Sequence, residues 1–410
     1  MNEVRTRILY TLCRVLTIAS RFVLLLFLTK YAEVSEFTTY YLIINAIIFI
    51  GYFSSFEIGT VTSRYFITSK KKDDFFSLHI GYLFITILIS VVVFYLYIST
   101  TGNDKYIFIC TFILFFDVLC KDFERWFVLH KKQLISAISL LIRSSICAYV
   151  FILYSSYARD YQIEYLFYSM LLCGLVAFFY GMYFMVHISS GLKFDMNVFF
   201  EKHMILDLVR KAIPIFISMI LIKALFTVDR NIIDILGSDK NELASYLYYI
   251  SFSYIILTAV EVLVFSFDNP KLIHAYANNA ENSYLIAQFY KMLKKVVVLV
   301  TVLYVLISTM SYLFLVLTEK TMYLNYYYNS LLLSFSLGCY SIFQCYKYWF
   351  YIHSNDRVNL IASFLVVLVF STICLSLYVF SSNSISYIVS ISLVSSFIFP
   401  LLYYRRKFYE

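Results

Sequence analysis

The stretch "FFDVLCKDFERWFVLH", Phe115 to His130, places Asp117, Lys121, Asp122, Glu124 and Arg125 inside an otherwise apolar run. At about 100° per residue, Asp117, Lys121, Glu124 and Arg125 fall at i, i+4, i+7 and i+8, one stripe of a helix. Asp122 lies off that stripe and is expected to pair elsewhere. Arg14 and Arg21, seven apart, share a helical face, and Arg143, Lys223, Arg230 and Lys347 also stand in apolar runs. Such groups can brace one another as ion pairs, hold an anion, or take up a proton.

The deepest cations are Arg14, Arg21, Lys121, Arg143 and Lys223, and four of the five belong to the N-terminal half. A charge at depth in a bilayer costs at least about 2.5–3.5 kcal/mol on insertion scales, so it is expected to face a bundle interior or a watery cavity. The three runs bearing Arg14, Arg21, Lys121, Arg125 and Arg143 hold only Asp117, Asp122 and Glu124 in return. A partly dehydrated site with surplus cations attracts an anion, and the planar fork of arginine suits phosphate. These five deep cations are therefore the expected substrate-binding group, with Lys121 the anion contact of the opening stretch. Asp117, Asp122 and Glu124 are expected to balance charge or couple transport to an ion. Glu57, Glu261, Asp229, Arg230, Arg125 and Lys347 are expected in gating or structural ion pairs, and Arg125 and Lys347 stand near enough to a membrane edge to snorkel.

The elements that position these charges follow from composition. The chain has 410 residues, 61% hydrophobic and 14% charged, with mean hydropathy +0.78. Soluble domains average about 25% charged, so this chain cannot cover itself in water. Apolar windows predict an all-α polytopic membrane protein with twelve spans, at roughly 8–30, 37–59, 76–99, 105–129, 134–157, 163–187, 208–236, 243–266, 294–317, 323–351, 357–380 and 385–404. Arg14 and Arg21 interrupt the apolar core that a cleaved signal peptide would need, so the first segment is expected to be a retained span. About twenty Lys and Arg fall in one set of loops and about five in the other, which predicts cytoplasmic termini. This loop bias accounts for the net charge of +8 without any nucleic-acid partner. The eight cysteines form no C-x-x-C or Cys/His metal spacing and are expected to be packing residues, with no metal or cofactor. The segment "NPKLIHAYANNAENSYLIAQFYKMLKK" fits either an amphipathic surface helix or an ordinary loop.

"ERWFVLH", Glu124 to His130, and "KYWFYIH", Lys347 to His353, hold the only two tryptophans and end spans 4 and 10. Glu57 and Glu261 likewise close spans 2 and 8. The repeat predicts two six-helix lobes, 1–195 and 205–410, in one orientation, related by a pseudo-two-fold axis along the membrane normal around a central cavity. That is transporter architecture, not that of an enzyme.

"RKAIPIFISMILIKALFTVDRNIIDILGSDKNELASYLY", Arg210 to Tyr248, and "EFTTYYLIINAIIFIGYFSSFEIGTVTSRYF", Glu36 to Phe66, resemble O-antigen and capsule repeat-unit flippases. These are the Wzx-type polysaccharide transporters of the MATE/MOP superfamily. Glu36-Phe37 and Ile58-Gly59 stand where such proteins commonly carry "fG" and "GL". The resemblance implies a MATE-like fold and alternating access driven by a proton or sodium gradient. It implies transfer of undecaprenyl-diphosphate-linked oligosaccharide from the cytoplasmic to the periplasmic leaflet of the bacterial inner membrane. It also implies membrane lipid, a polysaccharide polymerase and a chain-length regulator as partners. A multidrug or cation extruder of the same superfamily would favour an acidic cavity, whereas this N-terminal half is net basic. An O-antigen polymerase or ligase would need a sizeable outer loop, and "STTGNDKY" and "LGSDKNEL" are short.

Overall fold

The computed structural model describes residues 3–54, 58–59, 61–62, 72–101, 104–130, 132–189, 202–237, 239–278, 280–381 and 383–409. Glu57, and the basic positions Arg64, Lys70, Lys71, Lys131 and Lys193, lie outside them.

Twelve long helices carry the described chain, and no strand occurs among those residues. They are α1 (Glu3–Tyr31), α2 (Val34–Ser54), α3 (Lys72–Thr101), α4 (Ile107–Leu129), α5 (Gln133–Ala158) and α6 (Ile163–Ser189). Then follow α7 (Lys202–Leu236), α8 (Lys240–Val260, carried on through Ser266–Ala277), α9 (Asn282–Leu317), α10 (Tyr328–Ile352), α11 (Asp356–Phe380) and α12 (Ile385–Tyr409). Ten of these are long and apolar enough to cross a membrane. The exceptions are α4, with its five clustered charges, and α10, which is rich in Ser and Tyr. The segment between spans 8 and 9 is helical on both sides of its Asn pair, so its loop is far shorter than a loop reading requires.

The helix ends follow local chemistry. The Asp239 side chain caps α8 by accepting from the Asn241 amide at 2.8 Å, a usual role for Asp at that position. Gly237 closes α7, where a Cβ would stand 2.3 Å from the Ile233 carbonyl oxygen. The two tryptophan repeats end alike. His130 Nδ1 lies 3.0 Å from the Trp126 carbonyl oxygen, and His353 Nδ1 lies 2.9 Å from that of Trp349. Beyond them the Lys132 amide donates to Phe127 and the Asn355 amide to Phe350, each at 2.8 Å.

Contacts divide the chain into two compact units, Met1–Phe27 with Thr39–Phe216, and Leu28–Thr38 with Ile217–Glu410. In the first unit α4 packs on α6 through a seven-residue pairing of aromatics and glycines. Gly174 receives Phe116 and Gly181 receives Phe123, and a Cβ at Gly181 would meet the Phe123 ring at 2.6 Å. Small residues allow this close approach, the usual means by which helices associate in lipid. The second unit is joined by buried hydroxyl pairs. Ser218 meets Ser363 at 2.8 Å, Ser253 meets Ser334 at 2.9 Å, and Ser311 meets Ser330 at 2.7 Å. Tyr404 donates to Asn359 at 2.7 Å. The second unit also buries Asp229, Arg230 and Glu242, the last accepting from the Ser386 amide at 2.6 Å.

Candidate functional site

Two π turns interrupt the helices, at Ile142–Ile146 in α5 and Glu261–Phe265 in α8. Such turns are rare and occur frequently at functional sites. The first presents Arg143 to α4. Its Nη1 bonds the Asp117 carboxylate and lies 3.3 Å from the Asp117 carbonyl oxygen, and its Nη2 lies 3.3 Å from Glu124 Oε1. Lys121 Nζ reaches the other Asp117 oxygen at 2.5 Å. Arg14 lies over the Tyr10 ring at 5.4 Å, close enough for its charge to act on Glu124. Arg21 is exposed, and its charge acts on Asp117. Asp117, Lys121, Glu124 and Arg143 thus form one ion cluster, bordered by Arg14 and Arg21.

Asp122 turns to the far side of α4. Its Oδ2 lies 2.8 Å from His79 Nε2 on α3, with both side chains buried. His79 Nδ1 lies 3.3 Å from the Thr62 hydroxyl, and its ring stacks on Trp126 at 5.4 Å with 21° between planes. Nothing in the sequence pattern singled out His79 or Thr62. The available signal was negative: an acid off the charged stripe of a buried helix needs a partner on another helix.

A pocket opens in the first unit beside this pair. Lys121 and Arg125 of α4 line it together with Tyr52, Gly59, Tyr82 and Thr86, and Asp122 forms part of its wall. Lys121 Nζ also sits over the Tyr52 ring at 5.4 Å.

In the second unit Asp229 is wholly buried. It accepts from the Tyr246 hydroxyl at 2.7 Å and from the Arg230 amide at 2.7 Å. The Arg230 guanidinium lies over Tyr254 at 5.8 Å, and the charge of Lys223 acts on the same tyrosine. Lys347 Nζ rests 3.1 Å from Met219 Sδ. Glu261 is exposed at the start of the second π turn. The predicted residues therefore gather in separate places, and only the α4–α5 group forms a dense cluster. No group of three or more His, Cys, Asp or Glu able to hold a metal occurs among the described residues.

No family model and no curated protein matches the chain. Solved structures do. The inward-facing conformation of a multidrug resistance MATE family transporter of the MOP superfamily superposes with a TM-score of 0.70 at 11% identity, over 98% of this chain and 94% of that one. The outward-facing conformation of such a transporter gives 0.68 at 13% identity, over 98% and 94%. The Vibrio cholerae MATE transporter VcmN in the bent form gives 0.65 at 13% identity, over 98% and 96%. The chain thus has the MATE transporter fold along nearly its whole length.

Proposed function

We propose that the chain is a multi-pass membrane transporter working by alternating access, and that its cargo is an undecaprenyl-diphosphate-linked oligosaccharide. The cargo moves from the cytoplasmic to the periplasmic leaflet of a bacterial inner membrane, for O-antigen or another surface polysaccharide. The fold supports transport, and the observation that favours this cargo is the sign of the charge. On α1, α4 and α5, Arg14, Arg21, Lys121, Arg125 and Arg143 outnumber Asp117, Asp122 and Glu124. A diphosphate headgroup matches that surplus, since charge-assisted bonds to arginine and lysine are the strong ones in a dry site. The acids of the cluster offer places where a proton or sodium ion exchanges against the cargo, and both termini lie in the cytoplasm. The polymerase and chain-length regulator of the same polysaccharide are the expected protein partners.

Deleting the gene tests the reading. Single lipid-linked repeat units should accumulate on the cytoplasmic side, and surface polysaccharide should vanish. A strain that still caps its surface with one repeat unit would lack a polymerase instead. A second reading, extrusion of cationic drugs, draws on the multidrug transporters named among the fold neighbours. It would show as drug sensitivity of the deletion strain with its surface polysaccharide intact.

A further inference from the structure

At the edge of the second unit where α12 ends and α9 begins, the two helices run in opposite directions and meet through Phe408. Its ring lies 4.9 Å from Phe289 and 5.8 Å from Tyr290 of α9, and 5.1 Å from Trp349 of α10. One turn into the span from that contact, each helix carries a cation. Lys294 follows Tyr290 by four residues, and Arg405 precedes Phe408 by three. At a rise of 1.5 Å per residue, both stand about 4–6 Å on the membrane side of the rings. At about 100° per residue, each also lies within about 60° of its ring around the helix. Both side chains are exposed, and neither has an acidic partner among the described residues. Lys295, the next residue along, is by contrast paired with Asp268 at 2.6 Å.

The faces that carry these cations are apolar. Lys291 and Lys294 head a stripe of α9 that continues through exposed Val298, Val302 and Val305, and Arg405 ends a stripe of α12 with exposed Ile398 and Leu402. Along helices long and apolar enough to cross a bilayer, such stripes face acyl chains, and cations at their ends reach the headgroup level. A single snorkelling lysine needs only water. Two cations from separate helices, brought to one edge by the Phe408 contact, repel each other, and an anion between them relieves that repulsion.

We propose that Lys294 and Arg405, with Lys291 adding a third charge to the same face, bind the phosphate of an anionic phospholipid. The lipid belongs to the leaflet on the side where α12 ends, and its chains lie along Val298, Val302 and Leu402. It is a structural lipid of the second unit, held whichever cargo the protein carries.

Trp349 is the natural reporter, because its indole packs on Phe408 and Phe289, and Trp126→Phe removes the only other tryptophan. Full-length protein with this change is placed in phosphatidylcholine nanodiscs that contain brominated phosphatidylglycerol or brominated phosphatidylcholine. Bromine on an acyl chain quenches the indole only from a neighbouring lipid, so the two quenching curves give a relative affinity. Phosphatidylglycerol should be preferred by at least about 25-fold, about fivefold for each of the two cations. Lys294→Gln and Arg405→Gln should each lower the preference about fivefold, and together they should bring the two lipids near parity. Lys240→Gln, at the far end of α8, removes the same charge and should leave the preference unchanged. Parity in the parent protein overturns the proposal without recourse to a variant, as does a preference that survives the double change. An equal loss in Lys240→Gln would assign the preference to net charge and overturn the site. Inorganic pyrophosphate added to neutral nanodiscs should leave Trp349 emission unchanged. A saturable response to it would seat a soluble anion at this edge and overturn the lipid. Native mass spectrometry of the unmutated protein gives a second reading. More phosphatidylglycerol than phosphatidylcholine should stay bound from an equimolar mixture, and equal retention overturns the proposal.

Discussion

Arg143 stands across from Glu124, Nη2 to Oε1 at 3.3 Å, while its other terminal nitrogen holds Asp117. Asp117 and Glu124 are seven residues apart on one face of α4, and the guanidinium fork spans the gap between them. The π turn at Ile142–Ile146 explains the reach, because widening the helix by one residue per turn pushes residue 143 outward. Arg143 is therefore committed to two carboxylates, while Lys121 shares one of them and also faces the pocket.

Arg143→Ala should destabilise the first unit, because it removes the ion-pair partner of Glu124 and leaves Asp117 with Lys121 alone. Removing one partner of a buried ion pair costs about 3–5 kcal/mol. The melting midpoint of detergent-solubilised protein should fall sharply, and Arg143→Lys should recover only part of it, since an ammonium cannot bridge both acids. A melting curve like that of the parent protein would show that the cluster does not brace α4 against α5.

Packing of α4 on α6 gives a sharper steric test. Gly181→Val should prevent accumulation of folded protein, because even a Cβ would stand 2.6 Å from the Phe123 ring. Phe123→Ala should be tolerated less well than a surface change, with a cavity cost of about 3–5 kcal/mol. Combined, Gly181→Val and Phe123→Ala should fold better than Gly181→Val alone, read by size-exclusion profiles of a fluorescent fusion. Equal profiles would place the fault elsewhere.

The helical architecture was legible because hydropathy speaks through long windows. Twenty apolar residues in a row leave the chain few alternatives in lipid, where every backbone group must be satisfied within its own helix. The Trp-x-x-x-His ends of α4 and α10 were legible as a repeat, and both prove to be helix stops in which the imidazole reaches the same carbonyl oxygen. The partnerships were harder to read. The spacing of Asp117 and Lys121 on one helix announces their contact, whereas His79 meets Asp122 from forty-three positions away, on a helix whose sequence carries no pattern around it. The hydroxyl pairs of the second unit were invisible for a related reason. Serine is common in membrane helices, and only the packing shows that Ser253 finds Ser334.

His130→Ala and His353→Ala should have similar and modest effects, since each removes one hydrogen bond from a side chain to a helix-end carbonyl. About 0.5–1.5 kcal/mol each is expected, seen as small drops in melting midpoint that add in the double variant. Their separation into different units favours additivity. A large loss from one and none from the other would mean that only one half uses its histidine as a stop.

His79 and Asp122 pair across α3 and α4, Nε2 to Oδ2 at 2.8 Å, and Nδ1 of the same ring stands 3.3 Å from the Thr62 hydroxyl. The imidazole also stacks on Trp126, and both partners are buried. Losing one partner should therefore cost nearly as much as losing both. His79→Asn and Asp122→Asn should each lower stability by about 3–5 kcal/mol, and the double variant should fall short of their sum by at least about 1 kcal/mol. Strict additivity in a cycle of melting midpoints would mean that the two side chains contribute independently.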